Sequence, residues 1–201
     1  IQITGGWTNA GTLSANSGTL NLQGNWSNTG TLSVTSGTLN LGGSFTTAGI
    51  NLAGATFTAS TVNITGAMNN AAATLTLNNA TGSWRLLAGT ISGGTLNYAD
   101  GQTLVLTTGG GTLNNLTVNG DLTLGVNSAN LNITGSTTFV AVHMTQPNQT
   151  LRFSPGYVLS GQVLLEGGNV GSRAIQMTTS GTLTIGPTGA IRLMPGGAAQ
   201  S

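Results

Sequence analysis

Four side chains in this sequence can carry acid–base chemistry near neutral pH: Asp100, Asp121, Glu166 and a single histidine, His143. Carboxylates gathered on one face would suit cleavage of a polysaccharide, one protonating the leaving oxygen while the other activates water or attacks. The spacing offers little of this. Asp121 follows Asp100 at close to one internal period of the chain, and Glu166 lies about two periods further on. The two aspartates can therefore stack in adjacent repeats, yet both read as solvated corner residues. Glu166, in Leu165-Glu166-Gly167-Gly168, also reads as a corner. In Val140-Ala141-Val142-His143-Met144 the alternation turns His143 outward, opposite to Val142, with no second ligand type nearby. Gly109-Gly110-Gly111 is a corner and not a phosphate loop, because no helix follows to supply its N-terminus. There is no nucleophile motif and no calcium-binding nonapeptide. The expectation is no enzyme: no catalytic, cofactor-binding or metal-binding residue, and no cofactor.

Charge narrows the function classes further. Besides those three acids the sequence has only Arg85, Arg152, Arg173 and Arg192, and no lysine. That leaves no basic face for nucleic acid or anionic lipid. No apolar run approaches the roughly 20 residues of a membrane helix, and without cysteine the redox compartment is undecided. The chain opens in mid-pattern at Ile1, which suggests a processed chain or part of a longer one.

What must position any functional side chain is a repeat. Ile1-Gln2-Ile3-Thr4-Gly5-Gly6-Trp7, Leu20-Asn21-Leu22-Gln23-Gly24-Asn25-Trp26 and Leu39-Asn40-Leu41-Gly42-Gly43-Ser44-Phe45 follow one another at one constant interval. Each reads apolar-x-apolar-x-Gly-x-aromatic. Self-similarity at such a period marks a solenoid. Within one period, Leu32/Val34, Leu39/Leu41 and Phe45 form three apolar groups of period two, separated by Gly30, Gly37 and Gly43. Period-two alternation is strand with one face buried, and the glycines sit where the backbone must turn. The expected fold is all-β, a right-handed parallel β-helix of triangular coils of about 19–23 residues. Roughly ten coils would make a rod of about 50 Å at strand spacing.

A single domain is expected over 1–201, regular in 1–66, looser in 67–135 and divergent in 136–201. The fourth copy, Val62-Asn63-Ile64-Thr65-Gly66-Ala67-Met68, arrives late, and the extra length is assigned to a corner around Ala55–Ser60. The phrase returns at Leu116–Gly120 and then, sooner than a whole coil, at Leu131–Gly135, which implies a short coil or a register change. All four prolines fall after residue 136, where corners and edges would take them.

Two columns follow from the period. Trp7, Trp26, Phe45 and Met68 are expected as an interior column; an exposed aromatic row would instead suit sugar rings. Thr12, Thr31, Thr19, Thr38, Asn21 and Asn40 are expected to point outward as polar ladders, because stacked copies of Thr and Asn can hydrogen-bond where stacked charges repel by about 1 kcal/mol even in water. An outward threonine array is also how an ice-binding face presents itself, but the second column here is Asn or Ser and the coil length drifts.

The Gly-Thr-Leu coil, with Ser83–Leu96 and Leu113–Gly120, resembles the β-helical repeats of filamentous-haemagglutinin-like adhesins and autotransporter passengers. The resemblance implies an exported, cell-surface protein with rod-like adhesive or structural duty, and carries over no catalytic residue. Neither Ile1–Gly5 nor the tail Gly196–Ser201 reads as an amphipathic cap, so the expected partners are further coils of a longer chain or a second copy joined head to tail into a filament. A surface glycan is a further expected partner, and a carbohydrate- or ice-binding β-helix module is the second reading of function.

Overall fold

The computed structural model describes residues 1–167 and 171–195. It is a parallel β-solenoid of about eight turns. Strand passages recur in a fixed order around the axis and build three faces. The first face starts with Gln2–Ile3, takes the second halves of Thr12–Leu22 and Thr31–Leu41, and continues through Thr61–Ile64, Trp84–Leu86 and Leu104–Leu106. It resumes in a second sheet of Leu122–Leu124, Ala141–Met144, Gln162–Leu165 and Ala190–Leu193. The second face runs from Trp7–Asn9 and Trp26–Asn28, across an Asn25–Ser44 bridge, to Ser44–Thr46 and on to Arg173–Met177. The third face is in pieces, among them Thr74–Leu77, Thr95–Tyr98 and Thr117–Asn119.

Side chains at alternate positions fill the interior. Leu20, Leu22, Leu32, Val34, Leu39 and Leu41 are fully buried, with Asn21, Ser33 and Asn40 between them facing out. The corner between the third and first faces falls inside the long strands Thr12–Leu22 and Thr31–Leu41, where Ser17 and Gly18 take φ of 66° and 77° and the chain bends without leaving the ladder. At the next corner Gly5, Gly24 and Gly43 stack with positive φ. A Cβ on Gly24 would lie 1.8 Å from the Gly5 carbonyl oxygen, so only glycine lets successive coils approach there.

Register shows how the coil changes length. The sequence separation of stacked partners is 19 from Asn21 to Asn40 and 23 from Asn40 to Asn63. Near the other end Gln149 pairs with Arg173 and Gln162 with Ala190, in coils that are longer again. The chain therefore winds fewer turns than coils of the first length would allow. The insertion is not at Ala55–Ser60. Ala55–Thr58 is strand, paired with Leu32–Thr35, and the extra residues form two 3-10 turns, Ala48–Ile50 and Leu52–Gly54. They fit because Ile50 drops into the interior while its carbonyl accepts from Asn28 Nδ2 at 2.9 Å.

The early return of the phrase at Leu131–Gly135 also has its explanation. Thr117–Asn119 lies on the third face and Asn130–Thr134 on the second, so the same apolar-x-apolar-x-Gly phrase stands on different sides of the coil. The tail from Gly196 onward, expected to leave the last coil open, lies outside the described residues.

Candidate functional site

On the first face, amides bond to their own copies. Asn40 Nδ2 donates to Asn21 Oδ1 at 2.6 Å, and Asn63 Nδ2 donates to Asn40 Oδ1 at 2.7 Å. A carboxamide is both donor and acceptor, so identical residues stacked at strand spacing complement each other. Asn63 extends the column beyond Asn21 and Asn40 because the insertion is absorbed before the strand begins. Thr19 stacks beside Thr38, and Thr12 beside Thr31; of these Thr38 is half-buried and the others are exposed.

On the second face the aromatic residues stack inward. The rings of Trp7 and Trp26 are 5.4 Å apart and 6° from parallel, those of Trp26 and Phe45 4.7 Å and 17°. Each indole N–H donates to a carbonyl at the corner of the next coil, Trp7 to Gln23 at 3.0 Å and Trp26 to Gly42 at 2.8 Å. Met68 follows Phe45 in register and is buried. Trp26 and Phe45 are 5% and 4% exposed, so neither offers a ring face to a sugar.

Outside this stack lies a groove of about 470 Å³ over the strands Trp26–Asn28, Ser44–Thr46, Ala67–Asn69 and Thr90–Ser92. Ser27, Ser44, Thr46, Ala67, Asn69 and Ser92 line it.

A different cluster forms lower on the first face. Thr123, His143 and Leu164 are register partners in successive coils, which brings Asp121 and Glu166 to either side of the imidazole. His143 Nε2 is 3.4 Å from Asp121 Oδ2, and Nδ1 is 3.1 Å from both oxygens of Glu166. His143 is thus turned outward as expected, but it is not alone. The ring thus has one acid at each nitrogen, Glu166 at hydrogen-bonding distance and Asp121 somewhat further off. The acids hold it from opposite edges, and no group of three such side chains among the described residues converges on a point where a metal ion would sit. Asp100 and Asp121 have separate partners: Asp100 accepts from the Asn79 backbone N–H at 3.1 Å.

No protein-family model matches this chain, nor does any curated protein or solved structure.

Beside the cluster the first face has a seam. Leu104–Leu106 and Leu122–Leu124 are neighbours, but no ladder joins them. The step from Leu104 to Leu122 is shorter than the equal steps on either side of it, Trp84 to Leu104 and Leu122 to Val142. A coil too short to bring its strand into register leaves a cleft of about 290 Å³, with Thr103, Val105, Asp121, Thr123 and Val126 around it. Burial pushes the nearby Tyr98 phenol far above its ordinary range, the negative charge of Asp121 adding to the effect. Burial also pushes Tyr157 up to about 12, and its hydroxyl donates to the Thr137 carbonyl.

Two buried amides escaped sequence reading. Asn28 receives Asn9 Nδ2 at 2.7 Å, and Asn70 accepts from the Thr47 hydroxyl at 2.5 Å while donating to the Gly93 and Thr95 carbonyls. Asn28 closes the strand Trp26–Asn28 and Asn70 directly follows Ala67–Asn69, each two residues after an inward side chain, so alternation points both inward although an amide is not a residue type expected there. Asn9 and Asn28 also stand one full repeat apart.

Proposed function

We propose that this solenoid is a structural rod, the stalk of a bacterial surface adhesin or the subunit of an extracellular fibre. The observation that carries the reading is the axial run of parallel strands on the second face, from Trp7–Asn9 to Arg173–Met177. Backbone hydrogen bonds parallel to the rod axis would share tension coil by coil, and an interior column of stacked side chains resists compression. Export is implied by the adhesin-like repeats. A catalytic role has no support in the charged residues, whose acids face a histidine or a backbone amide.

The strands at the two described ends support self-association or continuation within a longer chain. Among the described residues Gln2–Ile3 and Ala190–Leu193 each have one ladder partner, and Leu193 is 82% exposed. An open strand edge is a template for further pairing, and a head-to-tail contact that does not close yields a filament.

Negative-stain imaging of the purified 201-residue chain across a concentration series tests this. Filaments one solenoid wide that lengthen with concentration are the expected outcome. Single rods that never lengthen would remove self-association and leave the stalk form, in which further coils of the same chain occupy the edges. Globular particles would overturn both forms.

A further inference from the structure

We infer that the groove on the second face binds a neutral linear glycan lying along the rod axis. The groove crosses four strands, which at sheet spacing gives a run of roughly 14 Å, long enough for a short stretch of a chain. Its floor is backbone and the Ala67 methyl, laid over the buried Trp26, Phe45 and Met68. Its polar groups are small and largely uncommitted. Ser27, Ser44 and Ser92 make no side-chain hydrogen bond among the described residues. Thr46 Oγ1 accepts only from the Gly49 N–H, and Asn69 Oδ1 only from the Ala71 N–H, which leaves the hydroxyl proton and the amide NH2 free to donate.

This differs from the asparagine columns of the other faces. Asn21, Asn40 and Asn63 satisfy one another on the first face, and Asn119 donates to Asn97 at 2.8 Å on the third. Hydroxyl and amide groups above an apolar floor match a pyranose, which presents C–H faces and hydroxyl edges. The lining has no ionisable side chain, so an anionic polysaccharide would gain no counter-charge and would lose hydration. A run of mixed Ser, Thr, Ala and Asn also differs from the regular threonine array that ice would need. The site stands on the groove's own chemistry, whether or not the solenoid forms a fibre.

Three neutral hexasaccharides serve as probes: β-1,4-linked glucose, α-1,4-linked glucose and β-1,4-linked N-acetylglucosamine. Each is titrated into the isotope-labelled full chain and followed by amide NMR shifts. The expected result is saturable binding of at least one, with shifts confined to the coils between Asn25 and Ser92. Ala67→Arg, which fills the floor, should weaken binding by at least about tenfold, equivalent to about 1.4 kcal/mol. The double variant Ser44→Ala with Ser92→Ala adds no bulk to the folded chain and should weaken it about three- to tenfold. Failure of all three probes to bind overturns the inference, as do shifts mapping to another face. A hexagalacturonate binding equally well would overturn it too, and so would inhibition of ice growth that Ala67→Arg abolishes.

Discussion

Asn40 stands between two copies of itself, Asn21 and Asn63, whereas His143 stands between two residues unlike it, Asp121 and Glu166. The two triplets occupy the same outward side of the first face, several coils apart. Around Asn40 the repeat is nearly literal, even though the separation of partners grows from 19 to 23. Around His143 the coil length barely changes, yet the sequence phrase has dissolved. Where a coil repeats its neighbour, each side chain must complement itself, and Asn, Thr and Ser do so while a charge cannot. Where copies diverge, neighbours can be complementary instead, and charge enters. The distribution of ionisable groups follows this rule closely. Residues 1–84 contain no Asp, Glu, Lys, Arg, His or Tyr; every such side chain comes later.

That contrast can be broken most severely at the corners. Gly24→Ala would drive a methyl group into the Gly5 carbonyl and should cost more than about 4 kcal/mol, or prevent folding. Gly156→Ala has a similar φ of 75° but open space around it, and should cost only the left-handed strain of about 1–2 kcal/mol. Urea melts of the two variants decide the matter; equal losses would mean that the close approach of Gly24 to the Gly5 carbonyl adds nothing beyond backbone strain.

A smaller effect separates the two triplets. Asn40→Asp removes the donor to Asn21 and sets two acceptor oxygens face to face, which should cost about 1–3 kcal/mol. His143→Asn breaks a partly exposed ion cluster and should cost less than about 1 kcal/mol, the difference fading in molar salt. If the histidine variant proved the more damaging and salt did not narrow the gap, the self-complementarity rule would lose its best case.

The gentlest perturbation is pH. Below pH 10 the Tyr157 phenol is protonated whether the chain is folded or not, so it adds no pH dependence. Between 10 and about 12 the unfolded chain releases that proton and the folded chain keeps it, so rising pH favours unfolding. Amide exchange, corrected for its intrinsic rate, should therefore accelerate above pH 10 in the coils around Tyr157 and stay level in the coils before Trp84. Uniform acceleration would show that the two regions unfold as one.

These regions were also unequally legible in the sequence. With coils of constant length, an even spacing is enough to stack Trp7 on Trp26 and Asn21 beneath Asn40, because equal coils preserve register. The insertion lies between Thr46 and Ala55, ahead of the corner at Ala55–Ser60 that the sequence suggests, because nothing in the repeat shows that Ile50 turns inward. The partners of His143 were illegible for a stronger reason. Asp121 and Glu166 each lie about one coil away in sequence, and only the actual register, Thr123 to His143 to Leu164, shows that both acids flank one ring. The groove had no sequence signal of its own. It depends on which small side chains happen to leave their hydrogen-bonding atoms unused.

The seam has one more consequence. At its height the first face has no ladder, and the third is carried by a single bridge, Thr117 to Thr138. The second face alone continues as a strand pair, Thr112–Asn114 against Asn130–Thr134. A beam with a full ladder on one of three sides, a single bridge on the second and none on the third bends most easily where the ladder is missing. The two halves of this solenoid are thus coupled as by a leaf hinge, with Val105 and Thr123 on the edges that open. Sideways load would be taken up there as flexure, sparing the coils on either side.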